Sequence, residues 1–104
     1  MVAIYIHVNV KDHQEAQDLA EFLLQANLIS CANIMPPHHA IYEWEGKFIS
    51  EPETSMILKS EEKNYKEIER VLISKHSYDC PPICFWKVDG GYKPYLAWIK
   101  NRTI

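Results

Sequence analysis

Histidine and cysteine side chains are the groups in this chain best suited to bind a metal ion, and His76 is the leading candidate. It follows a predicted helix, whose C-terminal end carries a partial negative charge that favours a cation. A neutral imidazole is also among the commonest metal ligands in proteins. The alternative role is that of a loop histidine that makes hydrogen bonds and positions Pro81.

The adjacent histidines His38 and His39 form a second candidate for metal binding. Two neighbouring residues of a strand point to opposite faces, so one ion is not easily chelated by both. A bend at Pro36-Pro37 would still allow one of them to contribute. We expect a structural or solvent-facing role for the pair.

The three cysteines, Cys31, Cys80 and Cys84, are an odd number without a Cys-x-x-Cys motif. This pattern does not favour a disulfide framework, and reduced thiols are typical of cytosolic proteins. Thiolates suit Cu(I) or zinc, but Cys80 and Cys84 alone are an incomplete ligand set. Cys31 and Cys84 lie in predicted strands, where we expect them to be small buried hydrophobic residues.

A long β-hairpin over residues 31–59 is the segment that must position most of these side chains. Its aromatic and β-branched residues favour strands, Glu45-Gly46-Lys47 supplies the turn, and Pro36-Pro37 predicts a bend in the first limb. A two-stranded arm of this length buries too little apolar surface to be stable by itself. We therefore expect other protein surface to cover its aromatic residues.

The remaining elements follow from hydrophobic periodicity and from capping signals. In chain order they are a strand over 3–10, a helix from Asp12 to about residue 28, the hairpin, a helix capped by Ser60 and reaching about residue 74, a strand over 83–88 and a short helix over 92–99. The order β-α-β-β-α-β predicts an α+β, ferredoxin-like sandwich with an extended hairpin and a short C-terminal helix. We expect a single domain over residues 1–104.

Composition and charge exclude several classes of function. The net charge is −3 and no basic block occurs, so nucleic-acid binding lacks its electrostatic footprint. No apolar run approaches the ~20 residues of a membrane span, and the N-terminus does not resemble a signal peptide. No set of nucleophile, base and orienting group occurs, and no phosphate-binding glycine loop. We expect a cytosolic protein that is not an enzyme.

Several motifs together resemble the CutA family of divalent-cation tolerance proteins over nearly the whole chain. They are Ala16-Gln17-Asp18-Leu19-Ala20, Cys31-Ala32-Asn33-Ile34, Tyr42-Glu43-Trp44-Glu45-Gly46-Lys47, Glu53 with Met56-Ile57-Leu58-Lys59, His76-Ser77-Tyr78-Asp79-Cys80-Pro81 and Tyr95-Leu96-Ala97-Trp98. The resemblance implies a tight homotrimer similar to the PII-type signalling trimers, which bind small effectors in clefts between subunits. It also implies a role in copper tolerance through weak binding of Cu(II) or another divalent cation. Of three positions at which some members place copper ligands, Val8 and Lys75 occupy two, and only His76 matches.

Within such a trimer, Lys59 either binds a small anionic effector in an intersubunit cleft or pairs with Glu53 of a neighbouring subunit. We expect Lys59 to lie near Tyr78 of the same or a neighbouring subunit, with Tyr42 and Trp98 lining the cleft. Aromatic residues also dominate protein interfaces. The residues that we expect at the trimer interface are Tyr42, Trp44 and Phe48. The alternative to metal binding is thus a PII-like signalling or scaffold protein.

Overall fold

The computed structural model describes all residues from 1 to 104 and confirms the predicted α+β architecture. The elements in chain order are β1 (Ala3–Val10), α1 (His13–Gln25), β2 (Cys31–Ile34), β3 (His38–Trp44), β4 (Lys47–Glu61), α2 (Tyr65–Lys75), β5 (Ile83–Lys87) and α3 (Lys93–Asn101). No helix combines the length and the apolar character that a membrane crossing requires.

A single antiparallel sheet with the strand order β2-β4-β1-β5 forms the centre of the fold, and β3 pairs with the outer part of β4. This is the strand order of a ferredoxin-like sheet in which the second strand is interrupted. The interruption lies at Met35-Pro36-Pro37, between β2 and β3. The predicted interruption of this limb is therefore confirmed, because proline cannot donate a ladder hydrogen bond.

Alternation along β1 directs one set of side chains into the core. Ile4, Ile6, Val8 and Val10 are fully buried, whereas the residues between them face the other side of the sheet. The buried face of α1 packs on this side, together with that of α2. The buried residues of the two helices are Ala16, Leu19, Ala20, Leu23, Tyr65, Ile68, Val71 and Leu72.

Helix α1 begins as predicted, because the Asp12 side chain accepts a hydrogen bond from the backbone N–H of Glu15. The chain leaves α1 through Asn27, whose φ of 57° is a left-handed conformation that asparagine tolerates. The predicted cap at Ser60 is wrong. β4 continues to Glu61, and the buried Ser60 hydroxyl donates to the Leu28 carbonyl across 2.6 Å.

The arm, residues 38–53, projects from the sheet and gives the molecule extents of 47 × 25 × 23 Å. It closes through Glu45 and Gly46, with φ values of 50° and 79°. Two positive φ values define a type I′ turn, whose twist matches that of the flanking strands. The predicted turn is therefore confirmed, with its two central residues at 45 and 46.

The open face of the sheet is the side opposite α1 and α2. At one end of this face, a row of paired residues crosses the sheet. It consists of Cys31 on β2, Lys59 on β4, Tyr5 on β1 and Trp86 on β5. Helix α3 packs against this end through contacts with β4 and β1. Much of the remaining open face carries exposed or half-buried side chains.

Candidate functional site

The ring of His76 has both nitrogen atoms in hydrogen bonds. The backbone N–H of Tyr78 donates to Nδ1 across 3.0 Å, so Nδ1 carries no proton. The proton then lies on Nε2, which is 2.8 Å from the carbonyl oxygen of Asn9. The ring also lies 4.8 Å from that of Tyr78, measured between centroids. A metal ion that binds His76 must therefore replace one of these hydrogen bonds.

Glu53 links the loop after α2 to the base of the arm. Its Oε2 accepts a hydrogen bond from the Tyr78 hydroxyl across 3.2 Å, and its Oε1 lies 3.5 Å from His38 Nε2. The Glu53 side chain is only 12% exposed. Burial, reinforced by the nearby Glu53 carboxylate, raises the pKa of Tyr78 to about 12. His38, Glu53, Tyr78 and His76 thus form one continuous series of contacts, the His76 cluster.

Glu15 holds the other side of the loop in place. Its carboxylate accepts hydrogen bonds from the backbone N–H and the hydroxyl of Ser77 and from the backbone N–H of Lys11. Burial alone would raise the pKa of Glu15, but these hydrogen bonds outweigh it and the pKa is lowered. The loop position of His76 is therefore determined from both α1 and β4.

The fold brings together only small groups of side chains that could bind a metal ion. No group of three or more His, Cys, Asp or Glu side chains converges on one point. His38 and His39 lie on opposite faces of β3, as predicted from their adjacency, and only His38 approaches Glu53. Any cation at the His76 cluster would therefore have few protein ligands from one chain.

The environment of Lys59 is aromatic. Its ammonium nitrogen lies 5.3 Å from the ring centroid of Tyr5 and 5.6 Å from that of Tyr95. Burial alone would lower the pKa of Lys59, but the Tyr95 hydroxyl outweighs this effect and the pKa is raised. The Tyr95 ring stacks on Trp98 with centroids 6.0 Å apart, and Tyr5 lies 6.1 Å from Trp86. Tyr5 was not predicted from the sequence as a site residue, because a strand residue of this type is usually structural.

Within one chain, the residues predicted to line a cleft do not come together. Trp98 belongs to the cluster around Lys59 through Tyr95, whereas Tyr78 contacts Glu53. Lys59 and Glu53 are six residues apart on β4, which corresponds to roughly 20 Å along a strand. The expectation that Lys59 lies near Tyr78 therefore fails within a single subunit.

The aromatic residues predicted at the trimer interface occupy both faces of the arm. Tyr42 and Trp44 share one face, and Phe48 lies with Ile41 on the other. Trp44 is 62% exposed, Phe48 83% and Ile41 74%. Both faces of the arm thus carry apolar surface that the chain itself does not cover.

Cys31 and Cys84 are less buried than predicted from the sequence. All three cysteines are free, Cys31 is half-buried, and Cys80 and Cys84 are exposed. The prediction of a buried Cys84 is wrong because β5 is an edge strand and Cys84 faces the open side of the sheet. Cys31 likewise lies on the open face, beside Lys59, and not in the core.

A groove with a volume of about 520 Å³ lies beside α1 and was not predicted from the sequence. Its lining consists of Lys11 and Asp12 before α1, residues of α1 and Lys75 of α2, and only Leu19 and Phe22 among them are apolar. The Lys75 ammonium lies 4.1 Å from the ring centroid of Phe22. Its lining is mostly charged, so the groove lacks the apolar walls of a typical small-molecule site.

Known proteins resemble this chain over nearly its whole length. The family model for the CutA1 divalent ion tolerance protein matches residues 4–102. The divalent-cation tolerance protein CutA of Pyrococcus horikoshii is 34% identical over 100 residues, which are 96% of this chain and 97% of the relative. The chloroplastic protein CutA of Arabidopsis thaliana is 33% identical over 101 residues, and the chain spans only 56% of its length.

Solved structures show the same fold. The crystal structure of CutA1 from Oryza sativa superposes with a TM-score of 0.97 at 30% identity, covering 100% of this chain and 95% of the other. The structure of the periplasmic divalent cation tolerance protein CutA from Archaeoglobus fulgidus gives a TM-score of 0.92 at 31% identity, with coverage of 96% and 97%. The chain therefore belongs to the CutA1 divalent ion tolerance protein family.

Proposed function

We propose that this chain acts in divalent-cation tolerance as a homotrimer that binds a divalent cation, such as Cu(II), weakly. The names of its relatives support the cation-tolerance role. The proposed role is one of binding and not of catalysis. Two structural features support it, the uncovered arm and the His76 cluster.

The proposed trimer rests on the two apolar faces of the arm. A twofold dimer uses one self-complementary surface patch, so it would cover one face of each arm and leave the other exposed. A closed ring gives every subunit two different neighbours, and each arm can then be covered on both sides. Tyr42 and Trp44 would meet one neighbour, and Phe48 the other.

Light scattering tests the assembly. The expected mass is three times the chain mass of 12.2 kDa. A mass near that of one chain or of two chains, at micromolar concentration, would contradict the trimer. This measurement does not depend on metal binding.

The observation that carries the metal proposal is the series of contacts from His38 through Glu53 and Tyr78 to His76. Imidazole and carboxylate are ligands that Cu(II) and zinc accept. Because both nitrogen atoms of His76 are already hydrogen-bonded, a cation must displace a bond before it binds there. Weak affinity follows from this competition.

Isothermal titration of the assembled protein with Cu²⁺ and with Zn²⁺ tests the proposal. We expect measurable heat that His76→Ala and Glu53→Gln each reduce. His39→Ala is the matched control, because His39 is adjacent to His38 but lies on the opposite face of β3. Heat no larger than that of buffer, or heat that His76→Ala leaves unchanged, would overturn the proposal.

A second candidate function is PII-like signalling or scaffolding, through a small anion bound in a cleft between subunits. The ammonium group of Lys59 supports it, because no carboxylate pairs with it and two tyrosine rings flank it. Tyr78 and Tyr42 would have to come from a neighbouring subunit, since the chain's own Tyr78 contacts Glu53. Trp98 lies in the same aromatic group as Tyr95.

Thermal-shift measurements with a panel of phosphates and carboxylates test the anion candidate. A bound anion stabilises the folded protein by mass action. We expect a stabilising compound whose effect is lost in Lys59→Ala and kept in Lys66→Ala, an exposed lysine on α2. A panel without any stabilising compound would argue against this function.

We further propose a cytosolic location, which the three free cysteines support. Relatives carry names that place them in chloroplasts or the periplasm. Fractionation of cells expressing the native gene, with detection of the protein in the cytosolic fraction, tests the location. Recovery from another compartment would contradict it.

A further inference from the structure

His7 and Cys84 are direct cross-strand partners on the open face of the sheet. The register of β1 and β5 places them opposite one another, with Tyr5 and Trp86 as the next pair on the same face. His7 is half-buried and Cys84 is exposed. Neither side chain is hydrogen-bonded to another group of the protein, unlike His76. The pair is therefore a free imidazole and a free thiol on adjacent strands.

The surroundings of this pair are apolar or uncharged. The nearest residues on the same face are Tyr5, Asn9, Ile57 and Trp86. The rings of Tyr5 and Trp86 lie 6.1 Å apart and form one wall beside the pair. No further His, Cys, Asp or Glu joins the two as a third ligand. A hard divalent cation prefers several oxygen ligands, carboxylates above all, and no carboxylate joins this pair.

The ligand types and the local charge both favour a soft monovalent cation. Thiolate ligands select Cu(I), and imidazole suits copper as well. Cu(I) and Ag(I) accept two ligands in a near-linear arrangement, so two side chains on adjacent strands can supply all the ligands that such an ion needs. Binding replaces the thiol proton, and one thiolate then balances one monovalent cation. The occupied site is then electrically neutral, which suits surroundings without a carboxylate. A divalent cation bound to the same thiolate would leave one positive charge uncompensated.

We propose that His7 and Cys84 form a two-ligand site for Cu(I) or Ag(I) on the open face. The site uses residues separate from the His76 cluster and does not rest on the proposed weak binding of divalent cations. Each chain would bind one cation through the Cys84 sulfur and one ring nitrogen of His7.

Native mass spectrometry of the reduced, assembled protein with Ag⁺ gives the stoichiometry. Anaerobic competition for Cu(I) against a coloured Cu(I) chelator then gives the affinity. We expect one tightly bound cation per chain. His7→Gln is expected to reduce the affinity by about 100-fold or more. Loss of a residue that only hydrogen-bonds to a metal ligand already reduces metal affinity by about 10–100-fold, and His7 would be a ligand itself. X-ray absorption of the Cu(I) form should show one sulfur and one nitrogen ligand.

Cys84→Ser should remove the site, whereas Cys31→Ser and Cys80→Ser are the matched controls. Cys31 lies on the same face but at the opposite edge of the sheet, and Cys80 lies in the loop before β5. Unchanged affinity in His7→Gln would show a lone thiol site and overturn the proposal. Loss of binding in either control would overturn it as well.

His76→Ala separates this site from the divalent one. It should leave Cu(I) affinity unchanged while it reduces the heat of Cu²⁺ binding. Since His7→Gln keeps every thiol, it tests the site even if Cys84→Ser impairs folding or assembly. Circular dichroism and light scattering of each variant establish that it is folded and assembled before titration.

Discussion

The hydroxyl of Tyr78 donates a hydrogen bond to Glu53 Oε2 across 3.2 Å, and this contact ties the loop after α2 to the base of the arm. The two residues are 25 positions apart in sequence. Through His76, the same loop reaches the Asn9 carbonyl on β1. The loop is therefore attached to two strands of the sheet, and its side chains are positioned by both.

Replacing Tyr78 with Phe should lower the free energy of unfolding by about 1 kcal/mol, the usual net contribution of one hydrogen bond. The Glu53 carboxylate would lose a donor while remaining mostly buried. Chemical denaturation at neutral pH measures the change. Tyr92→Phe is the control, because Tyr92 is 76% exposed and should be neutral. Equal stability of the two variants would contradict the contact.

Tyr65 and Tyr78 should titrate well above the ordinary pKa of tyrosine. Burial, followed by contact with a carboxylate, raises the pKa of each to about 12 from the ordinary 10.0. A raised pKa means that the protonated hydroxyl is favoured in the folded state. This stabilisation is complete below pH 10 and is lost as the pH rises towards 12. The ultraviolet absorbance of tyrosinate should therefore show a late phase, and Tyr78→Phe should reduce its amplitude. A single phase near the ordinary value would contradict the prediction.

Glu15 should govern part of the acid stability. Its pKa is lowered because hydrogen bonds to Lys11 and Ser77 outweigh the effect of burial. A depressed pKa stabilises the fold above the ordinary value of 4.5. This contribution is lost as the pH falls from there through the folded-state pKa. Glu15→Gln should flatten the acid side of the stability curve, measured by denaturation at several pH values, whereas Glu21→Gln on the exposed face of α1 should not.

The arm should control assembly. Trp44→Ala and Phe48→Ala each remove an exposed aromatic ring from a different face of the arm. We expect each to weaken the oligomer by about 2–4 kcal/mol, the range of aromatic interface anchors. Sedimentation velocity over a dilution series measures dissociation. Ile73→Ala, at a 55% exposed position on α2, is the control and should leave the mass unchanged. If only one of the two aromatic variants dissociates, neighbouring subunits cover only one face of the arm, which would contradict the prediction.

The turn of the arm should tolerate a stabilising substitution. Glu45 adopts a φ of 50°, which asparagine and glycine adopt more readily than glutamate. Glu45→Asn should therefore raise the free energy of unfolding by about 0.5 kcal/mol, a part of the ~1–2 kcal/mol that the left-handed conformation costs an ordinary residue. Glu43→Asn, at an extended position of β3, should lower it because asparagine is disfavoured in strands. A lower stability of Glu45→Asn than of the unchanged protein would contradict this account.

Local periodicity made much of the fold predictable from the sequence. The alternation over β1, the capped start of α1 and the turn at Gly46 all depend on neighbouring residues, and each agrees with the structure. The cap at Ser60 was predicted wrongly, because serine before a polar run has the same local pattern whether it ends a strand or begins a helix. Its burial against Leu28 depends on packing of distant segments.

The candidate sites were only partly predictable, because they join residues that are far apart in the chain. His76 was identified by its type and position, but one of its two hydrogen bonds is made with Asn9, 67 positions away. The register of β1 against β5 alone decides that His7 meets Cys84. Thus the sequence by itself determined the elements, their order and the family. Only the tertiary structure decided which polar side chains meet, because strand register and edge position are set by long-range pairing.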